Sequence, residues 1–239
     1  MATMRMDLLD WEATQFGLDL DEVIVPTHEA AITSLHAVHY DVEGTSHEQV
    51  REAEAAGDEG EWQLALNMAG EEEKRARERE RIVGWLVLLH MGIVLELKLR
   101  KLYEILRTIS LKQGTPPART QGQKRGRGGN TWFRNLLAEY GRFGVNLDSH
   151  RVFNFVDEMV FACNSVKHNA GKPTEAYRKF FPHQRFTDGE GIVFSNLDFR
   201  EAVGSLKEFV EAVVREIKQR RDGKKPVGPL QRPRPRLPV

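Results

Sequence analysis

Apolar side chains recur at helical spacing in the middle of the chain and predict one long amphipathic helix. They repeat at intervals of three and four residues, which places them on one face of an α-helix. The helix is expected over residues 81–112, with apolar positions at Leu95, Leu99, Leu102, Leu106 and Ile109. This pattern predicts a buried helix at the centre of the fold.

Two later stretches of the chain repeat the same period. The first stops at Gly171 and Pro173, residue types that terminate helices. The second is expected over residues 199–218, with Asn196 or Asp198 as its N-cap. Their apolar faces consist of Val152, Val156, Met159, Cys163 and Val166 in the first and of Ala202, Leu206, Phe209, Val213 and Ile217 in the second. Three such stripes predict a mostly α protein built as a helical bundle.

Shorter elements are predicted around these three helices. Thr27 is expected to cap a helix that ends near Tyr40, and Ser46 with Gln49 to form the capping box of another. Residues 185–195 are expected to form a β-hairpin with an Asp-Gly turn. The sequence therefore predicts an N-terminal helical segment and a small β-hairpin insertion in addition to the bundle.

Composition and charge divide the chain into three regions. Residues 1–75 form a predicted acidic N-terminal helical segment, residues 76–222 a helical domain, and residues 223–239 a basic, proline-rich tail that is expected to be disordered. Within the domain, residues 112–130 form a predicted basic loop rich in glycine and proline. The chain has 35 basic and 35 acidic side chains, but residues 1–73 hold 18 acidic and two basic ones. The remainder carries the matching positive excess.

The composition also excludes or disfavours several functional classes. Cys163 is the single cysteine, which excludes an intrachain disulfide and a four-cysteine zinc site and favours a cytoplasmic location. The longest uncharged apolar run, residues 82–95, is shorter than the ~20 residues of a bilayer span, so no membrane association is expected. His36 and His39 lack the further ligands of a tetrahedral site. Neither a metal nor another cofactor is therefore expected.

The candidate chemistry lies at the end of the second apolar stripe. Asn164 and His168 are one helical turn apart, on a face that differs from that stripe. His168 falls in the last turn, where the helix dipole favours the imidazolium form, and Lys167 precedes it. An imidazole beside an amide and an ammonium suits proton transfer at a ribose hydroxyl or binding of a phosphodiester. The alternative is that Lys167 and His168 only interact with the helix dipole, because cationic side chains are common in the last turn of a helix.

The segment from Asn164 to Asn169, Asn-Ser-Val-Lys-His-Asn, follows a long apolar helix. Together with the earlier Leu-Glu-Leu-Lys-Leu-Arg-Lys-Leu-Tyr of residues 95–103, it resembles the HEPN superfamily, the higher eukaryotes and prokaryotes nucleotide-binding domain. Members are helical bundles that carry an arginine followed four to six residues later by a histidine, commonly as Arg-Asn-x-x-Lys-His. The resemblance covers about residues 80–218, and residues 1–75 have no counterpart in it.

The resemblance implies a metal-independent endoribonuclease of toxin or defence type. His168 would be the catalytic histidine, Asn164 its polar partner and Lys167 a phosphate ligand. It also implies a homodimer in which two motifs form one cleft, RNA as the substrate, and a cognate antitoxin or regulatory protein as a candidate partner.

One position departs from the family pattern. The family arginine would fall at Phe161, Ala162 or Cys163, and none of these is basic. Removal of a preorganised charged donor typically costs ~10² to 10³ in rate. The sequence therefore leaves a second interpretation open, a catalytically inactive RNA-binding or adaptor and dimerisation module.

Basic and aromatic residues outside the motif extend the hypothesis of RNA binding. Lys124, Arg125 and Arg127 in the glycine-rich loop, with Lys172 after the motif, are expected to contact the phosphate backbone. Residues 132–134, Trp-Phe-Arg, either stack on bases or anchor aromatic rings in the core. The acidic residues 1–73 either compete with RNA for the basic cleft or form an ordinary acidic surface.

Overall fold

The computed structural model describes residues 7–114 and 132–223 of the chain. These residues are mostly helical and form a bundle, as predicted, and they contain no β-strand. The α-helices are α1 (Leu8–Leu18), α2 (Val25–Ala56), α3 (Glu59–Lys112), α4 (Trp132–Arg142), α5 (Phe153–Asn169), α6 (Glu175–Phe180) and α7 (Asn196–Arg221). A π-helical turn, Asp19–Ile24, joins α1 to α2.

The central helix, α3, is longer than the sequence pattern predicts. It ends at Lys112 as expected but begins at Glu59, where the Asp58 side chain accepts hydrogen bonds from the Gly60 and Glu61 amides. Its 54 residues span about 80 Å at 1.5 Å per residue. Residues 71–81 remain helical because oppositely charged side chains pair at i,i+3 and i,i+4 along this stretch. The helix also runs through the predicted boundary between residues 75 and 76.

The two predicted N-terminal helices are one continuous helix, α2, so that prediction is wrong. The Thr27 hydroxyl donates a hydrogen bond to the Val23 carbonyl oxygen (2.6 Å) and does not cap a helix. Ser46 lies inside α2, which ends at Gly57 in the left-handed conformation (φ 75°). Nothing breaks the helix between residues 40 and 46, because Gly44 lowers helix propensity without forcing a turn.

The core lies on one side of the second half of α3. Gly92 allows α5 to approach closely, because a Cβ there would lie 2.7 Å from the Cys163 sulfur of α5. Apolar side chains of α1, α4, α5 and α7 complete this core. The fully buried apolar residues of α3 are Leu88, Met91, Leu95, Leu99, Leu102 and Leu106.

The first half of α3 pairs with α2 as an antiparallel helical hairpin. We call this hairpin, residues 31–56 and 59–80, the arm. On the α3 side its seam is only half-buried, with Trp62, Ala65 and Ala69, and Ala76 is the first buried residue of α3. The side chains described in the arm therefore form no separate buried core, and the arm depends on α3, which continues into the bundle.

The expected β-hairpin is not confirmed. Residues 185–195 contain a single isolated antiparallel bridge, between Thr187 and Ile192. The Asp188 carboxylate accepts hydrogen bonds from two backbone amides inside the turn. The Ile192 amide donates to the Gly171 carbonyl oxygen (2.7 Å) after the end of α5, whereas the Val193 amide donates to the Phe186 carbonyl oxygen (3.0 Å). The return segment therefore divides its hydrogen bonds between a helix end and the opposite segment, and no regular strand pair forms.

The N-cap of α7 also differs from both expected residues. It is Ser195, which forms a capping box with Asp198 at the third helical position.

By length and composition α3 is apolar enough to cross a membrane, and 44% of its most apolar 18-residue window is buried inside the protein. Core helices of soluble proteins meet the same criterion.

Candidate nucleic-acid interface

The end of α5 is fixed by tight packing against α3. Gly171 has φ 75°, and a Cβ there would lie 2.1 Å from Cζ2 of Trp85, so glycine is required for both reasons. The Trp85 indole donates a hydrogen bond to the Ile192 carbonyl oxygen (2.7 Å). The Gly171 amide donates to the Ser165 carbonyl oxygen, which caps the helix. These contacts hold the last turn of α5, and the predicted motif with it, in one position.

The predicted motif residues lie on the outside of this turn. Lys167 and His168 are exposed and Asn164 is half-buried, so the imidazole is open to solvent. Lys172 is also exposed, and its carbonyl oxygen accepts a hydrogen bond from Asn169 (2.7 Å). Four of the seven predicted site residues therefore occupy one short stretch of accessible surface. The other three, Lys124, Arg125 and Arg127, lie outside the described residues.

Helix α6 lies against α5 and carries two further exposed cations. The Thr174 amide lies 3.4 Å from the Ser165 hydroxyl at the beginning of α6, and the Phe180 ring lies 5.6 Å from the Phe161 ring at its end. Helix α6 thus runs back along α5, from its last turn toward its middle. Arg178 and Lys179 are exposed near the end of α6.

Sequence reasoning missed this contribution, because six residues do not establish a helical period. In the sequence, the only indication of cations beside the motif is the Arg-Lys dipeptide at residues 178–179. The same region contains an arginine and a histidine at the family's spacing, Arg178 and His183, but α6 ends at Phe180, before Pro182. The two side chains are therefore not on one helix face, and this pair does not replace the motif.

Within the described residues, the cations of α5 and α6 have no acidic partner. Within residues 7–114 and 132–223, no salt bridge joins a carboxylate to Lys167, Lys172, Arg178 or Lys179. Arg185 differs, because Asp198 and Glu201 both bind it. An exposed cation without a bound carboxylate can neutralise a phosphate without first breaking an ion pair.

A guanidinium reaches the α5 face from α4. Arg134 forms a bidentate salt bridge with the buried Asp157, with Nη2 2.6 Å from Oδ2. Its guanidinium lies 4.8 Å from the centre of the Phe161 ring and 4.2 Å from that of Phe180. The Arg134 guanidinium thus stacks on two rings of the protein itself.

The sequence left two interpretations of residues 132–134, stacking on bases or anchoring of aromatic rings in the core. The second holds for Phe133, which is fully buried.

The positions where the family arginine would fall are closed. Phe161, Ala162 and Cys163 are all buried, and the Cys163 sulfur packs against Gly92. Burial raises the pKa of the Cys163 thiol to about 12, so the thiol is a packing group and not a nucleophile. An arginine at any of these positions would point into the bundle and not toward His168.

Three clefts of the described residues lie away from this site. One, of about 450 Å³, separates α1 from α7, another of about 350 Å³ lies beside the π-helical turn, and a third of about 500 Å³ lies between the two helices of the arm. None of the motif residues lines these three clefts. No group of three metal-ligating side chains occurs within the described part of the chain. The α5 site is exposed, because Lys167, His168 and Lys172 are all open to solvent.

Searches of protein-family models, of curated proteins and of solved structures each returned no match to this chain.

Proposed function

We propose that this protein binds RNA through the surface formed by the end of α5 and by α6. We define this α5–α6 surface by Lys167, His168, Lys172, Arg178 and Lys179. The observation that carries the proposal is the exposure of Lys167 and Lys172 next to the exposed His168 at the end of α5. Arg178 and Lys179 are exposed on α6, which runs along α5, and no carboxylate of the described residues pairs with any of these four cations. RNA is chosen over other polyanions on the resemblance of residues 164–169 to the HEPN motif.

We further propose that His168 acts as the acid/base group of a metal-independent endoribonuclease. In this reaction the imidazole takes the proton of a ribose 2′-hydroxyl, and the 2′ oxygen attacks the adjacent phosphorus. The bond from phosphorus to the 5′ oxygen breaks, leaving a 2′,3′-cyclic phosphate, and the departing oxygen takes a proton from solvent. Lys167 and Arg178 are the proposed ligands of the non-bridging oxygens, where negative charge develops.

The second candidate function is an RNA-binding or adaptor module without catalysis. A specific observation favours it: the family arginine has no accessible position on α5, and Arg134 is held by Asp157. On this alternative the α5–α6 surface binds RNA with the same salt dependence, and His168 contributes only to affinity.

One pair of variants tests the binding part of the proposal. Lys167→Glu with Lys172→Glu reverses two charges on the α5–α6 surface. Arg200→Glu with Arg215→Glu makes the same change in net charge on exposed positions of α7. We expect the first variant to lower the affinity for single-stranded RNA by more than tenfold and the control to change it by less than threefold. Equal losses in the two variants would contradict a specific surface.

The catalytic part is tested in EDTA with the purified full chain. We expect cleavage products that end in a 2′,3′-cyclic phosphate and their loss in His168→Ala. Absence of cleavage with retained binding would establish the second candidate. Cleavage that survives in His168→Ala would remove the histidine from the mechanism.

A further inference from the structure

An exposed aromatic ring lies at the end of α6. Phe180 is 42% exposed, although phenylalanine is usually buried in soluble proteins. It directly follows two exposed cations, Arg178 and Lys179. Proteins that bind single-stranded nucleic acids combine these two features, because the cations attract the phosphates and the ring stacks on the bases.

The Phe180 ring is contacted by protein groups from one side. The Arg134 guanidinium lies over the ring, 4.2 Å from its centre, and the centre of the Phe161 ring lies 5.6 Å away. The same guanidinium is 4.8 Å from the centre of the Phe161 ring. These three distances place Arg134 and Phe161 in neighbouring directions from the Phe180 centre, and therefore on one side of its ring. The exposed fraction of Phe180 belongs to the opposite side.

The position of this ring is fixed by polar contacts at both of its supports. Asp157 holds Arg134 through the bidentate salt bridge described above. Tyr177, one helical turn before Phe180, is buried, and its hydroxyl donates a hydrogen bond to the Glu158 carboxylate of α5 (3.0 Å). A ring that is already held in place loses little conformational freedom when a ligand stacks on it.

The ring lies over the same side of α5 as the candidate acid/base group. Phe161, Asn164 and His168 follow one another at intervals of three and four residues, so they share one side of the helix. Phe180 packs on Phe161, which is seven residues before His168, or about 10 Å along the helix axis. A base stacked on Phe180 therefore keeps its own strand within reach of His168.

We propose that Phe180 is a base-binding residue, which stacks on one unpaired base of RNA and makes the α5–α6 surface selective for single strands. The ligand is the planar face of a nucleobase, and its identity matters little because every base has such a face. In duplex RNA these faces are occupied by neighbouring base pairs. The inference rests on the proposed binding of RNA but not on catalysis, and it adds base recognition to phosphate binding.

Binding of the full chain to two strands of the same length and charge tests the inference. One is a single-stranded RNA, and the other is an abasic ribose-phosphate strand, which has the backbone without the bases. We expect the wild-type protein to bind the RNA about tenfold more tightly than the abasic strand. Phe180→Ala should lower the affinity for the RNA by about tenfold and change that for the abasic strand by less than about twofold.

Three further variants separate stacking from other effects of the substitution. Phe180→Tyr keeps an aromatic ring and should retain the affinity for RNA, whereas Phe180→Leu keeps apolar bulk without a ring and should not. Tyr40→Ala removes a ring that is 72% exposed in the arm and should change neither affinity. Unchanged binding of the abasic strand shows that the α5–α6 surface remains folded in each variant.

The possible failures of the inference and of the proposed function are distinguishable. Equal affinity of the wild-type protein for the two strands would overturn the base site alone, as would wild-type affinity of Phe180→Leu for RNA. Equal losses for both strands in Phe180→Ala would also overturn it, because the ring would then support the surface without contacting bases. Absence of binding to either strand would overturn the proposed function together with the inference.

Discussion

The two halves of α3 have one continuous backbone but different stabilising interactions. In the arm half, Glu71 pairs with Lys74, Glu72 with Arg75 and Glu73 with Arg77, all on the surface. In the bundle half, apolar side chains are fully buried against four other helices. Solvent-exposed pairs of the first kind contribute little to helix stability, whereas burial of a leucine contributes about 2 kcal/mol.

The two halves of α3 therefore have different structural roles. The bundle half holds the fold and, through Trp85, the end of α5. The arm half carries charge and has no core of its own, so its residues are free to vary without unfolding the bundle. We therefore expect the same substitution to have unequal effects in the two halves.

The largest difference in unfolding free energy is expected between a buried ion pair in the bundle and an exposed ion pair in the arm. Glu12 of α1 is buried in the bundle, where Lys98 lies 2.8 Å and Lys101 2.7 Å from its carboxylate oxygens. Burial alone would raise the pKa of Glu12, but the hydrogen bonds from Lys101 and Lys98 outweigh it and keep the pKa below its usual range. Glu12→Ala leaves Lys98 buried without a partner and should cost about 4 kcal/mol of unfolding free energy.

The matched control is Glu71→Ala in the arm, which removes an exposed partner of Lys74 at 2.7 Å. Urea unfolding followed by circular dichroism measures both variants. We expect no resolvable change for Glu71→Ala. Equal midpoints for the two variants would show that burial does not distinguish the pairs.

The next largest loss of stability is expected when a buried leucine of α3 is truncated. Leu95→Ala removes a fully buried side chain of the bundle half and should destabilise the protein by about 3 kcal/mol. Leu64→Ala makes the same change at an exposed position of the arm half and should shift the free energy of unfolding by less than about 0.5 kcal/mol. A comparable loss from Leu64→Ala would mean that the arm side chain is covered, for example by another molecule.

A smaller effect is expected from pH at the junction of arm and bundle. His28 is buried at the start of α2 against the Phe199 ring, 4.0 Å between centres, and burial lowers its pKa although Glu29 opposes the shift. The folded protein keeps this imidazole neutral to a lower pH than the unfolded chain, which protonates it below about pH 6.5. Stability is therefore full above that pH and falls as the pH drops, by at most about 1.4 kcal/mol per pH unit for this group.

The slope of the unfolding free energy against pH, measured between pH 6.5 and 5.5, tests this prediction. His28→Leu removes the contribution of His28 to that slope. Burial also lowers the pKa of His150, so His150→Gln is the matched variant for the bundle. Each single variant should reduce the slope and the double variant should reduce it further. A slope unchanged in His28→Leu would show that this histidine is protonated in the folded state.

The sequence predicted the elements whose apolar side chains repeat over many turns. The second half of α3, α5 and α7 were found because each packs one face into the core. The start of α3 was missed because the charged residues 71–81 have no apolar period and are held helical by local ion pairs. The single helix α2 was missed because glycine at position 44 is a weak signal that tertiary structure overrides.

The candidate site was predicted in part, for a similar reason. His168 and Lys167 were placed correctly on an exposed last turn, because a helix end can be located from Gly171 and Pro173. The approach of α6 and the stacking of Arg134 on Phe161 join residues far apart in sequence. No spacing rule within one helix reports such contacts.

The most direct test of the proposed RNA interface is the salt dependence of binding. Each lysine that neutralises a phosphate of single-stranded RNA contributes about 0.7 to the slope of log affinity against log salt. Lys167→Ala with Lys172→Ala should therefore lower the magnitude of the slope by about 1.4 relative to the wild-type protein. A slope identical to that of the wild type would contradict contact of RNA with the α5–α6 surface.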